Sequence, residues 1–205
     1  MMNKQPIFIA ALLLGLFAVL GTTLVAFTYT NTIDKIKDNE RIALLNKLNQ
    51  LVPSDLIDND IVNDTKTISN LHYLGAESTK VYLGRKRGKA VAAVFVSIAP
   101  DGYNGKIKLL VAVMANGKLG GVRVIAHKET PGLGDKIDEK KGSWILQFPA
   151  MSLDNTLWKV KRDGGHFDQF TGATITPRAV IKAIKNTLLY YSKYGDQLFT
   201  KVKTT

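Results

Sequence analysis

The stretch FTGATITPRAV (residues 170–180) sets Thr171, Gly172, Ala173 and Thr174 directly ahead of a segment with helical periodicity. A helix start carries unpaired N–H groups and the positive end of the macrodipole, so a phosphate is stabilised there. The hydroxyl of Thr174 could carry such a group covalently, while Gly172 and Ala173 leave the backbone bare enough for a bulky partner to approach. On these residues alone the plainer reading is a turn rich in small and hydroxylated residues leading into a helix, a common arrangement. A second stretch, HKETPGLGDKI (residues 127–137), offers Glu129 and Thr130 as polar groups, Leu133 as an exposed apolar contact and Lys136 as a cation. It matches neither the dinucleotide fingerprint nor the P-loop. Taken alone it is a flexible loop, although a loop built this way can hold a flat ring with a polar edge.

Other chemistries find no residues to carry them. The chain has no cysteine, which excludes Cys-ligated iron–sulfur clusters and haem attached through Cys. The acidic string DNDIVND (residues 58–64) lacks the alternating ligands, glycine and distal glutamate of an EF-hand, so it reads as polar surface and no metal is expected. His72, His127 and His166 stand without a nucleophile beside them and read as structural, which leaves no catalytic residues to assign.

The elements that must position Thr174 are legible in outline. Ala179, Val180, Ala183, Ile184, Thr187, Leu188 and Tyr191 share one helix face, and Arg178, Lys182, Lys185 and Asn186 the other. Thr176 suits the N-cap of that helix and Pro177 its first helical position. Upstream, strands are expected at residues 81–83, 90–98, 106–114 and 118–127, with Asn116-Gly117 as a type I′ hairpin turn. Such short connections require an antiparallel meander and exclude a Rossmann-like sheet. Residues 130–168 are turn-rich, with Trp144, Phe148 and Trp158 as packing anchors. The expected fold class is α+β.

Residues 7–29 form an uncharged apolar run long enough to cross a bilayer as a helix. The run exceeds the apolar core of a signal peptide and lacks a clear A-x-A site, which predicts an uncleaved anchor. Behind it, Leu44, Leu45, Leu48, Leu51 and Val52 recur at helical spacing until Pro53, and a polar segment follows. The expected organisation is a tail and transmembrane helix over residues 1–32, a juxtamembrane helix and polar segment over 33–78, and a globular domain over 79–205. Lys4 on one side and Lys35, Lys37 and Arg41 on the other give a weak charge asymmetry. The orientation expected is an inside amino terminus and an outside domain, because long domains cross largely regardless of charge.

Beyond residue 32 the chain holds 27 of its 28 basic residues and all 17 acidic ones, a net charge of +10. Such a surface suits nucleic acid, an anionic membrane face or a negatively charged cofactor. Nucleic-acid binding needs a reading helix or a basic stripe interleaved with aromatics. Neither occurs, so no nucleic-acid partner is expected, and RKRGK (residues 85–89) reads as a solvated hairpin tip.

The run DQFTGATIT (residues 168–176) resembles the flavinylation signature D-x-x-[ST]-G-A-T of FMN-binding domains, whose last threonine takes FMN through a phosphoester bond. That threonine corresponds to Thr174 and the signature's acid to Asp168. Together with ETPGLGDKI (residues 129–137), APDGYNGKI (residues 99–107) and GATITPRAV (residues 172–180), it makes the chain similar to the G subunit of Rnf- or Rsx-type ion-translocating electron transport complexes. The C subunit of sodium-pumping NADH:quinone reductases shares the domain type but is usually longer. Phe170 stands where the broader class often has a small or hydroxylated residue.

The resemblance implies a membrane-anchored flavoprotein subunit that relays electrons through FMN linked covalently to Thr174, with no independent catalysis. Thr171, Gly172 and Ala173 would flank the attachment point. Leu133 would touch the ring, Glu129, Thr130 and Gly134 would give polar or backbone contacts, and Lys136 or Arg178 would balance the phosphate. The implied partners are the membrane, the other membrane and iron–sulfur or flavin subunits of the complex, and a magnesium-dependent flavin transferase using FAD. The implied location is the bacterial inner membrane, single-pass, with a periplasmic domain. The reading from a different class is an anchored basic module that binds anionic polymer or lipid without redox chemistry.

Overall fold

The apolar run and the leucine-spaced segment behind it fold as one uninterrupted helix, α1 (Gln5–Leu51), in a computed structural model that describes residues 5–200. Nothing between the two segments breaks a helix, and Pro53 lies just past the end. At 1.5 Å per residue the 47 residues extend about 70 Å, more than twice a hydrocarbon layer of about 30 Å. Apolar side chains from Ile7 to Tyr29 are exposed in the isolated chain, as lipid-facing residues must be. Lys4, on which the charge asymmetry depends, lies outside the described residues. The chain divides into two compact units, one ending at Leu45 and the other starting at Asn46.

The second unit is built on five strands, β1 (Thr65–Asn70), β2 (Ala76–Lys86), β3 (Lys89–Ala99), β4 (Ile107–Met114) and β5 (Leu119–Ala126). They pair antiparallel in chain order, the meander that short connections require. Two strand expectations change. β1 lies inside the segment read as polar surface, and β2 begins at Ala76 rather than Val81 to pair with it. As an edge strand β1 alternates only between half-buried and exposed positions, so its sequence carries little hydrophobic signal.

The hairpin turns also differ from expectation. Arg87 and Gly88 both have positive φ, 52° and 74°, and Lys86 pairs with Lys89, which places the type I′ turn there. At Asn116-Gly117 only the glycine is left-handed, at 78°. The Gly117 N–H donates to the Met114 carbonyl at 2.9 Å and the Met114 N–H to the Lys118 carbonyl at 2.8 Å, a longer loop built on a type I turn. The Asn116 side chain accepts the Lys118 N–H at 3.1 Å, a bond that holds it in this turn.

One sheet face is covered by α3 (Ile175–Phe199). Phe95 and Val111 pair across β3 and β4 and join Val180, Ile184 and Leu188 in a single buried core. The one polar pair inside that part of the core is satisfied. Thr187 donates its hydroxyl to the Ala183 carbonyl at 2.8 Å, so Ser97 donates to Thr187 at 2.7 Å. On the opposite face Gly84, Ala92, Ala112 and Gly120 are small, and Ile57, Ile61 and Leu51 come in close against Gly84 and Gly120. At the far end of α3, the Lys66 ammonium of β1 donates to the carbonyls of Gln197 and Thr200 at 2.7 and 2.9 Å, where the helix macrodipole favours a cation.

Residues 130–168 have no strand in the sheet and are held instead by aromatic packing. Trp144, Phe148, Trp158, Phe167 and Phe170 form one cluster, with Phe148 5.1 Å from Phe167, 5.4 Å from Trp144 and 6.4 Å from Trp158 between centroids. Both indole N–H groups are paired, Trp144 to the Asp168 carbonyl at 3.0 Å and Trp158 to the Ser152 carbonyl at 3.1 Å. Phe148 is fully buried at the centre of this cluster.

Two stability outcomes follow from this packing. Phe148→Ala is expected to cost about 3–5 kcal/mol in chemical denaturation of the detergent-solubilised chain, and a loss near zero would mean that the loop region is not part of the cooperative core. Arg87→Gly is expected to raise stability by about 0.5–1 kcal/mol by relieving a left-handed arginine. Asn116→Gly should instead lower the thermal midpoint, since it deletes the bond to the Lys118 N–H.

Candidate functional site

The β3–β4 connection, the loop after β5 and the turn before α3 converge on a cavity of about 330 Å³. Its walls are Tyr103, Glu129, Thr130, Leu133, Gly134, Gly172, Ala173, Thr174, Ile175 and Thr176. Those three segments are the ones that carry APDGYNGKI, ETPGLGDKI and FTGATITPRAV.

A buried carboxyl binds the three together. Glu129 is 4% exposed. Its Oε1 accepts the Asn104 backbone N–H at 3.1 Å, and its Oε2 accepts the hydroxyl of Thr176. Asn104 also donates its side-chain amide to the Thr130 hydroxyl at 3.1 Å. The Glu129 backbone N–H is taken up by His127 Nδ1 at 3.1 Å, which gives that histidine a structural role. Gly134 must be glycine here, because a Cβ would lie 2.9 Å from both Glu129 Oε2 and Thr176 Oγ1.

The helix start differs from the expected one. α3 begins at Ile175, so Thr174 itself holds the N-cap position and Pro177 is the third helical residue. Proline is tolerated there because first-turn N–H groups have no acceptor within the helix. Thr176 does not cap, because its hydroxyl is spent on Glu129. Thr174 is half-buried rather than exposed, with helical φ and ψ of −87° and −22° and no side-chain capping bond. Thr174 lines the cavity at the start of α3, and its hydroxyl makes no hydrogen bond among the described residues. The turn that delivers it closes from the Ala173 N–H to the Phe170 carbonyl at 3.1 Å. It needs Gly172, whose φ is +80°.

Arg178 fixes the same turn from below. Its Nη1 donates to the Thr174 carbonyl at 3.2 Å, and its guanidinium grips Asp163 with bonds of 2.7 and 3.0 Å. The hydrogen bond from Arg178, with the charges of Arg162 and Lys159 adding to it, holds the Asp163 carboxyl below the usual aspartate range.

Of the residues singled out in the sequence, Thr174, Gly172, Ala173, Glu129, Thr130, Leu133 and Gly134 line the cavity. Thr171, Lys136 and Asp168 are exposed and do not line it. Asp168 pairs with Lys161 at 2.7 Å. Tyr103, Ile175 and Thr176 complete the walls without having been expected there. For Tyr103 the one signal in the sequence is its place inside APDGYNGKI.

The lining suits a flavin nucleotide. Tyr103, Leu133 and Ile175 are exposed apolar groups, 65%, 39% and 47% accessible, placed to meet an aromatic ring system. Glu129, Thr130 and the bare backbone at Gly134 supply a polar edge. The helix start at Thr174 supplies the place for a phosphate.

Comparison with known proteins agrees with this geometry. Residues 102–189 match the FMN-binding domain family, and residues 1–51 match the RnfG N-terminal region. The G subunit of the ion-translocating oxidoreductase complex of Shewanella baltica (strain OS223) is 46% identical over 201 residues, covering 96% of this chain and 95% of the relative. The corresponding protein of Pseudoalteromonas atlantica is 46% identical over 201 residues, covering 96% and 94%. That of Vibrio cholerae serotype O1 (El Tor Inaba N16961) is 45% identical over 190 residues, covering 91% of each chain. An N-terminal helix of membrane-spanning length, an α+β domain that matches the FMN-binding family and 45–46% identity over nearly the whole chain lead to one assignment: the chain belongs to the RnfG family, the G subunits of ion-translocating oxidoreductase complexes.

Proposed function

We propose that this chain is a membrane-anchored, electron-carrying subunit of an ion-translocating oxidoreductase complex, and that it carries FMN through a phosphoester on Thr174. The observation that carries the linkage is the state of that hydroxyl. Thr174 lines the cavity and holds the N-cap position of α3, and its hydroxyl makes no hydrogen bond among the described residues. Of the other threonines in residues 168–176, Thr176 is committed to Glu129 and Thr171 lies outside the cavity.

FMN, when bound, supplies the redox chemistry by accepting and releasing one or two electrons. The chain supplies position and electrostatics. A phosphodiester keeps one negative charge, which the N–H groups at the start of α3 stabilise. Arg178 is engaged with Asp163, and its contribution to that charge is to hold the Thr174 carbonyl and hence the turn. Leu133 reaches towards Gly172, where an added Cβ would come within 3.1 Å of its Cδ2, so the ring would be seated against a small, apolar surface. Attachment itself is a transfer from FAD by a separate flavin transferase. In that transfer the Thr174 oxygen would be the acceptor of the FMN phosphoryl group, with AMP as the leaving group and the hydroxyl proton passing to the transferase or to water.

We place the second compact unit on the periplasmic side, with the apolar part of α1 crossing the inner membrane. A covalent tether would keep the cofactor on the protein where free flavin is scarce.

The linkage is tested by expressing the full chain with a flavin transferase and examining the denatured polypeptide. Flavin fluorescence and a mass increase matching an FMN phosphoester on the peptide containing Thr174 are expected for the wild type. Thr174→Ala should lose both completely, Thr174→Ser should retain a substantial part, and Thr171→Ala should remain labelled. A bare Thr174 peptide in material from the native host would defeat the phosphoester at this residue.

A further inference from the structure

We infer that the exposed face of α3 beside the flavin site is the docking surface for the acidic face of another protein of the complex. This rests on the proposed flavin at Thr174. Thr174, Arg178, Lys182 and Lys185 fall at i, i+4, i+8 and i+11, one stripe of the helix. The cations begin about 6 Å and end about 17 Å along the helix axis from Thr174. Beside the stripe runs a second groove of about 350 Å³, walled by Lys159, Arg178, Lys182 and Lys185 over an apolar floor that includes Ile181 and Leu189.

The charge count around this groove does not close. Asp163, Asp101 and Asp168 are each matched by one cation, Arg178, Lys182 and Lys161 at 2.7, 2.6 and 2.7 Å. Lys159, Arg162 and Lys185 make no ion pair among the described residues, although Asp163 feels the first two at longer range. Three cations are therefore left in excess on one side of the domain.

The occupant follows from the pattern. An apolar floor within a charged rim is the anatomy of a protein interface. Carboxylates set among the cations would repel a polyanion or a sheet of lipid phosphates, whereas a protein face can place acids opposite Lys159, Arg162 and Lys185 and neutral groups opposite Asp163. A protein seated here lies within about one to three helical turns of the flavin attachment, as a partner in electron exchange must.

The test uses the full chain in its assembled complex in native membranes. A zero-length carbodiimide joins lysine amines to carboxylates in contact, and mass spectrometry is expected to find Lys159 or Lys185 joined to Asp or Glu of another protein of the complex. The double variant Lys159→Glu, Lys185→Glu should cut recovery of the other subunits with the tagged chain about tenfold at low salt, and wild-type recovery should itself fall as salt is raised. Covalent flavin fluorescence should be unchanged in the variant, which separates this interface from folding and from loading. Cross-links confined to this chain, or recovery of the complex equal to wild type at low salt, would overturn the inference. So would loss of binding to phosphatidylglycerol vesicles in the variant with no cross-link to another protein, since that outcome assigns the face to the membrane. Wild-type chain without bound fluorescence would instead defeat the flavin reading, independently of the cross-links.

Discussion

The functional end of this domain depends on one buried carboxyl. Glu129 accepts a backbone N–H from the β3–β4 connection and a hydroxyl from the first turn of α3 while sitting on the loop after β5. None of these three segments is held to the others by sheet pairing. Removing the carboxyl would release the Asn104 N–H and leave the fully buried Thr176 hydroxyl without its acceptor, which costs about 1–3 kcal/mol. Gly102 and Gly134 pack against it, and a Cβ added at either would lie 3.0 or 2.9 Å from a Glu129 carboxylate oxygen. Rigidity at this junction matters because a cofactor site must be held within a fraction of an ångström by the shell behind it.

The same constraint makes the site legible in the sequence. APDGYNGKI, ETPGLGDKI and FTGATITPRAV stand out as turn-rich strings with unneeded hydroxyls and glycines, and they are the strings that meet at Glu129. Local pattern does not say which threonine caps the helix. Thr176 followed by Pro177 has a capping sequence, but the Glu129 contact, 47 residues distant, takes its hydroxyl and moves the cap back to Thr174. The Asn-Gly preference for type I′ turns fails for a related reason. At Asn116 a bond to the Lys118 N–H favours a different loop, and the tight turn falls to Arg87-Gly88 because the two-residue connection between β2 and β3 demands it. β1 escapes pattern reading because an edge strand facing water needs little apolar character, and Ile68 is the only large aliphatic side chain it has.

Phe170 has a packing role of its own beside the attachment turn. It occupies a signature position often filled by a small side chain, yet it is 9% exposed and packs its ring 5.3 Å from Trp144. That contact joins the attachment turn to the aromatic cluster that replaces regular structure across residues 130–168. The turn is thus held from two directions, by the cluster at Phe170 and by the Arg178–Asp163 pair at Thr174. None of Phe170, Arg178 and Asp163 lines the cavity.

The contact of Lys66 with the last turn of α3 bears on how the domain is bounded. The ammonium of the first strand supplies the cation that the final helical turn lacks, so the outermost strand and the closing helix act as a clasp across 131 residues of chain. Fraying at either extremity would loosen the other.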